Sequence, residues 1–250
     1  MAQPEPNAEL TVFAAASLTE AFQTLGKTFG AGHPPVKIVF NFGGSQQLAQ
    51  QIVQGARADL FAPASMKQMA IAIKAGLIDT TLLRVFARNR LVVILPRNNP
   101  AHLAGLKDLA KPGLKVVLAD SSVPAGQYAL QFLDRCSQSR EPGPSFKRDV
   151  LRNVVSYEEN VRAVLSKVRL DECDAGIVYS SDIARDTSRE IRRIDIPDQL
   201  NIIAEYPIAI VRETRSPEVA KEFLEYILSD EGGRVLANFG FIAASRAGRR

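Results

Sequence analysis

The sequence is poor in the residues that most often carry chemistry. It has two histidines, His33 and His102, each beside proline or in a loop-like stretch, which leaves little material for imidazole catalysis or an imidazole metal site. Its two cysteines, Cys136 and Cys173, form no C-x-x-C pair, so a zinc ribbon and a dithiol redox centre are excluded. Tryptophan is absent. No apolar run is longer than that from Leu91 to Leu95, which is the size of a strand, far short of the roughly 18 residues of a membrane span. Residues 1–9 have neither the basic start nor the apolar core of a signal peptide. The expectation is therefore a cytoplasmic protein, or a chain whose signal has been removed.

What is abundant is ordinary. Apolar residues make up 46% and charged residues 23% of 250 residues, a composition that folds and that favours two compact units or one large α/β domain. Basic residues outnumber acidic ones by 31 to 27, a net charge of +4, too small an excess to name a partner.

Short apolar runs alternate with amphipathic stretches. Leu10 to Phe13 reads as a buried strand, and Ser17 opens a helix with Leu18, Ala21, Phe22, Leu25 and Phe29 on one face; Ser17 and Glu20 fit a capping box. Val36 to Phe42 reads as a second strand, followed by the turn Gly43-Gly44-Ser45 and a helix from Gln46 to Gln54. Asp59 to Phe61 is a third strand, Ser65 a cap, and Met66 to Ala75 a helix closed by Gly76. This order argues a parallel sheet covered by helices. Val85 to Leu95 is a long extended stretch without a turn residue, and Ile202 to Val211 is another. Between them the pattern restarts with a strand at Leu114 to Leu118 and a helix through Ala129, Phe132, Leu133 and Cys136. A Pro/Gly loop at Arg140 to Lys147, a helix from Asn160 to Val168 and a strand from Ala175 to Tyr179 follow. Ser216-Pro217-Glu218 caps a last helix. Two extended segments bracketing an inner α/β unit predict two lobes crossed twice by the chain, with a cleft and a hinge.

Several signatures fail on inspection. Gly26-Lys27-Thr28 resembles the end of a phosphate-binding loop, but the position five before Gly26 is Ala21 and the segment lies within a helix. There is no G-x-S-x-G, G-x-G-x-x-G or H-E-x-x-H. Basic clusters at Arg84 to Arg90, Arg189 to Arg193 and Arg246 to Arg250 lack interleaved stacking aromatics, and read as solvated faces and a tail. Cys136 and Cys173 leave two readings open, a disulfide in an exported chain or two unpaired thiols.

A set of helix beginnings remains. Ser17 and Ser45 stand where strands turn into helices, Pro124-Ala125-Gly126 occupies the same place in the second unit, and Asn160-Val161 starts another helix, with Ser156-x-x-Glu159 a competing cap. Helix N-termini carry unpaired N–H groups and about half a positive charge, so several of them can bind an anion without Lys or Arg. By position alone each serine reads as structural.

The segments Phe13 to Phe22, Phe40 to Leu48, Ala119 to Ala129, Glu159 to Arg162 and Gly176 to Asp182 together resemble the periplasmic molybdate-binding proteins of ABC-type uptake, in order from about Leu10 to Ser245. The resemblance implies a class II two-lobed α/β fold, each lobe a mostly parallel sheet flanked by helices, with two crossover strands. Lobe I would be 9–87 with 203–245, lobe II 88–202, and ligand binding would close the cleft between them. It assigns the oxyanion to Ser17 and Ser45, through hydroxyl and N–H, to the N–H groups of Ala125 and Val161, and to the Tyr179 hydroxyl, with no direct ligation of the metal and no catalytic residue. Molybdate is fully deprotonated at neutral pH, so every contact should be a donor. Tungstate, nearly the same size, should bind too. The resemblance further implies no enzyme activity, no cofactor, a membrane permease as partner, no nucleic acid, no membrane insertion, a monomer, and a periplasmic location behind a removed signal peptide. The alternatives are a binder of another oxyanion such as sulfate, or an enzyme or regulatory effector domain on the same scaffold; a regulator would need a helix-turn-helix ahead of Leu10.

Overall fold

The computed structural model describes residues 9–33, 36–183 and 190–243. The residues before Glu9, Arg189 and everything beyond Ala243, including the Arg246 to Arg250 run, lie outside the described residues. The chain divides into two compact units, Met1–Arg88 with Glu205–Arg250, and Asn89–Ala204.

Along the chain run β1 (Glu9–Ala15), α1 (Thr19–Gly32), β2 (Lys37–Gly43), α2 (Ser45–Val53), β3 (Leu60–Ala62), α3 (Met66–Lys74) and β4 (Arg84–Pro96). Then come β5 (Val116–Ala119), α4 (Pro124–Gln138), α5 (Phe146–Arg152), β6 (Val154–Glu158), α6 (Val161–Arg169) and β7 (Ala175–Tyr179). The remainder is β8 (Ile191–Asp195), β9 (Ile203–Ile210), α7 (Pro217–Ile227), α8 (Asp230–Asn238) and β10 (Ile242–Ala243).

In the first unit β1 is central. It pairs in parallel with β2 from Glu9↔Lys37 to Ala15↔Gly43, and with β3 from Val12↔Leu60 to Ala14↔Ala62. An antiparallel β9 adds to β3 through Leu60↔Ile210, so the sheet is mixed. The pleat sends Leu10, Val12 and Ala14 to one face and Phe13 to the other, and all four are buried. Under α2 and α3, Phe13 and Phe61 pack with Leu48, Ile52 and Met69; on the opposite face Phe22 meets Phe40 and Phe86, and Phe29 meets Phe223. Each such side chain contributes roughly 1.5–3 kcal/mol on burial. A Cβ on Gly26 would lie 2.8 Å from the Phe40 ring. Gly26-Lys27-Thr28 is thus where α1 packs closely on β2, not a phosphate loop.

In the second unit β5 is central, in parallel with β6 (Ala119↔Glu158) and β7 (Val117↔Gly176). Strand β4 lies antiparallel to β7 and takes β8 on its other side, Val93 facing Ile177 and Ile194. Helix α6 covers β5 and β7 with Val161, Val164, Leu165 and Val168, the predicted face. Cys136 and Cys173 are buried and unbridged, and burial pushes both thiols up to about 12.

Some local expectations fail. Ser17 lies in a turn of 3-10 helix, and the N-cap of α1 is Leu18, which has no capping side chain, so the Ser17–Glu20 capping box does not cap α1. Helix α2 begins at Ser45 rather than Gln46, with Gly44 as N-cap. Ser156 and Glu158 belong to β6, because Val154-Val-Ser-Tyr-Glu pairs with β5 before the chain turns; the cap of α6 is Asn160. The Pro/Gly loop expected to run to Lys147 stops at Ser145, and Phe146 opens α5, a helix the sequence reading did not assign. Ser216 does precede α7, but its hydroxyl donates to the Glu9 carbonyl at 3.4 Å and makes no cap. Of the described basic residues in these clusters, Arg84 meets carbonyls, Arg88 meets Glu205, Arg90 meets Asp198 and Arg193 meets Asp195.

Candidate functional site

Parallel strands with crossover helices put every strand-to-helix turn at the carboxyl end of the sheet, where helix N-termini and loop amides collect. In the first unit the adjacent strands β2, β1 and β3 end at Gly43, Ala15 and Ala62, and two residues beyond each stand Ser45, Ser17 and Ala64. In the second unit β6, β5 and β7 deliver Val161, Ala125 and Tyr179 at the corresponding end. Each unit therefore gathers its own share of the five predicted residues.

Ser45 is the first residue of α2, and its amide belongs to the turn in which N–H groups have no intrahelical acceptor. Its cap, Gly44, brings no side-chain oxygen to compete for those donors. The Ser45 hydroxyl, 2% exposed with its residue, accepts the Ala64 N–H at 3.0 Å. Ser17, also buried, places its hydroxyl 2.9 Å from that of Tyr206 on β9.

Ala125 is the second residue of α4, behind Pro124, whose fixed φ suits a helix start. The cap is Val123, again without a capping side chain. Gly126 follows, and a Cβ there would stand 2.1 Å from the Asp120 carbonyl oxygen and 2.4 Å from that of Ala119. Only glycine lets α4 come so close to the end of β5, and that approach sets the Ala125 amide. The Asp120 carboxylate accepts the Ser122 N–H at 2.8 Å, and hydrogen bonds from Ser122 hold it below the usual carboxylate range.

Val161 is the first residue of α6. The Asn160 side chain accepts the Ala163 N–H at 3.0 Å, satisfying the third amide of the helix and not the first. By contrast α3, which follows β3, and α8 are capped by the Ser65 and Ser229 side chains. Ends without a side-chain cap also occur at α5 and α7, so the lack of a cap permits an anion site without defining one.

Tyr179 closes β7 with its side chain 1% exposed. Its amide donates to Asp182 Oδ2 at 3.0 Å, and Asp182 Oδ1 lies 3.4 Å from Arg162 Nε. The Asp182 side chain is fully buried and that of Arg162 is 24% exposed. The pair is neutral overall, so a carboxylate close to Tyr179 does not set a negative field there. Asn89 anchors the turn between Tyr179 and Asp182, donating to Ser181 Oγ at 2.7 Å and accepting from Ser180 Oγ at 2.9 Å. At the end of β6 the Glu158 carboxylate is matched by Lys167 at 2.7 Å and the Ser156 hydroxyl at 2.6 Å.

Sequence reasoning did not single out Ala64, Tyr206, Asp182, Arg162 or Asn89. A partial signal existed for Asp182, since an acidic residue three after Tyr179 is the N3 half of a capping box. Nothing local marks Tyr206, which is 189 positions from Ser17.

Comparisons with known proteins identify the family. A family description, bacterial extracellular solute-binding protein, matches residues 10–242. The molybdate-binding protein ModA of Mycobacterium tuberculosis is 36% identical over 232 residues, covering 93% of this chain and 84% of the relative. That of Haemophilus influenzae is 32% identical over 246 residues, covering 95% and 91%. Among solved structures, the substrate-binding domain of a putative molybdenum ABC transporter from Clostridium difficile aligns at a TM-score of 0.71 and 29% identity, covering 95% of this chain and all of that one. The family comprises solute-binding components of transporters, not enzymes, and among the described residues no helix is long and apolar enough to cross a membrane. On a match of this extent, the chain belongs to the bacterial extracellular solute-binding protein family.

Proposed function

We propose that this chain captures molybdate and hands it to the membrane permease of an ABC transporter, working as a monomer in the periplasm. The donors would be the hydroxyls and amides of Ser17 and Ser45, the amides of Ala125 and Val161, and the Tyr179 hydroxyl. The observation that carries the reading is the character of the groups at the carboxyl ends of both sets of parallel strands. They are amides of helix starts whose caps leave them unclaimed, and hydroxyls, while Asp182 and Glu158 are matched by Arg162 and Lys167 and the Asp120 carboxylate accepts from Ser122. Such a set suits an oxyanion that carries no proton of its own, since each ligand oxygen accepts and none needs a protein acceptor. Fixed dipoles supply the attraction, so no unpaired cation is required. Tungstate fits the same donors.

Titration calorimetry with molybdate, tungstate, sulfate and phosphate in parallel tests the reading. Molybdate and tungstate should bind tightly and raise the melting temperature, because a ligand bound only by the folded state stabilises it by mass action. No binding and no shift with either would sink the assignment. Sulfate competing at near equal affinity would replace it with a general tetrahedral-oxyanion binder.

A further inference from the structure

The hydroxyls of Ser17 and Ser45 each meet one partner among the described residues, and the partners differ in what they can do. At Ser45 the partner is the Ala64 amide, at 3.0 Å. An amide N–H can only donate, so Ser45 Oγ accepts there and keeps its single proton for another group. At Ser17 the partner is the Tyr206 hydroxyl, at 2.9 Å, where either oxygen can donate. Tyr206 is fully buried. Its ring is met edge-on by Phe86 and Phe241, with centroids 6.3 and 5.4 Å away. That packing fixes the phenol oxygen against Ser17 in low-dielectric surroundings.

Resting on the molybdate reading above, we infer that Tyr206 is a positioning residue that sets the proton direction at Ser17. With a dianion bound, Tyr206 donates to Ser17 and Ser17 donates to the ligand. Were Ser17 to spend its proton on Tyr206, it would turn only lone pairs toward a doubly charged anion. The chain from phenol to serine to oxyanion polarises in one sense, strengthening the terminal charge-assisted bond. Ser17 thereby acquires from a residue far along the sequence the donor-outward state that Ser45 receives from a backbone amide. The two serines follow adjacent parallel strands in register, Ala15 beside Gly43, so the arrangement serves neighbouring positions of the same sheet end.

A double-mutant cycle on the full chain tests this, with molybdate dissociation constants for the wild type, Tyr206→Phe, Ser17→Ala and the double variant. Tyr206→Phe should weaken binding about tenfold when Ser17 is present, the size expected for a bond assisting a charged acceptor. It should have less than about a twofold further effect once Ser17 is alanine. Equal weakening in both backgrounds would mean that Tyr206 merely holds the fold and would overturn the inference, as would an unchanged constant for Tyr206→Phe. Failure of the wild type to bind molybdate would instead remove the functional reading itself. Should Tyr206→Phe not fold, the tyrosines are replaced by 3-fluorotyrosine, a stronger donor, in the wild type and in Ser17→Ala. Fluorinated Tyr179 acts alike in both backgrounds, so a larger gain in affinity with Ser17 than without it supports the chain, and equal change in both overturns it.

Discussion

The Asp182 carboxylate accepts the Tyr179 amide hydrogen at 3.0 Å, and its other oxygen faces Arg162 at 3.4 Å. Arg162 directly follows Val161, so one buried acid ties the end of β7 to the start of α6, the places from which two of the proposed donors come.

Replacing Asp182 by alanine leaves a mostly buried guanidinium without its carboxylate and the Tyr179 amide without its acceptor. The expected cost is about 1–3 kcal/mol of folding stability, below the full penalty of a broken buried pair because solvent reaches Arg162. Thermal unfolding measures it, and calorimetry should show weaker molybdate binding as Tyr179 and α6 lose their common anchor. An unchanged melting temperature would remove Asp182 from this role.

Ser45→Ala should weaken molybdate binding by about 1–3 kcal/mol, the value of a hydroxyl facing a desolvated charge. It also strands the buried Ala64 N–H, so the unliganded variant should melt lower. A lower melting temperature with an unchanged dissociation constant would confine Ser45 to bracing β3 against α2.

Gly126→Ala places a methyl carbon 2.1 Å from a backbone oxygen. Backbone cannot give way as a flexible side chain can, so α4 must shift as a whole, at about 1–3 kcal/mol. Because the Ala125 amide travels with the helix, affinity for molybdate should fall together with stability. Chemical denaturation and calorimetry on the same preparation check both, and full affinity in a destabilised variant would separate Ala125 from ligand binding.

Glu158 supplies a pH dependence. Burial raises its carboxyl, but the hydrogen bonds from Lys167 and Ser156 outweigh this and hold it below the ordinary carboxylate value. A group whose pKa is lower in the folded state contributes stability above its unfolded value, about 4.3, and loses that contribution as pH falls through the folded value. The melting-temperature gap between wild type and Glu158→Gln should therefore be widest above about pH 5 and close toward lower pH. A gap independent of pH would show that the ionised carboxylate is not what Lys167 and Ser156 stabilise.

Much of the fold could be read from the chain because strand-to-helix alternation is a local signal. The faces of α1, α4 and α6 follow from apolar spacing, and the helix beginnings at Ala125 and Val161 from Pro124 and Asn160. What escaped reading had a weak or misleading local signal. Strand β6 ends in residues that double as caps, and β8 is Ile-Arg-Arg-Ile-Asp, whose charges mask its alternation until β4 pairs with it. Helix α8 contains Gly232 and Gly233, which weaken its propensity although Ser229 caps it.

The five proposed donors divide along the same line. Local sequence places the Ala125 and Val161 amides at helix starts, because proline placement and capping act within a few residues. It could not say what each serine hydroxyl does with its one proton. Ser17 and Glu20 looked like a capping pair, yet the Ser17 hydroxyl meets Tyr206 across the unit, and Ser45 meets Ala64 from a neighbouring strand. Long-range packing sets those partnerships. A hydroxyl rotates toward whichever partner the packed sheet brings within reach, and strand order, not sequence distance, determines which partner that is.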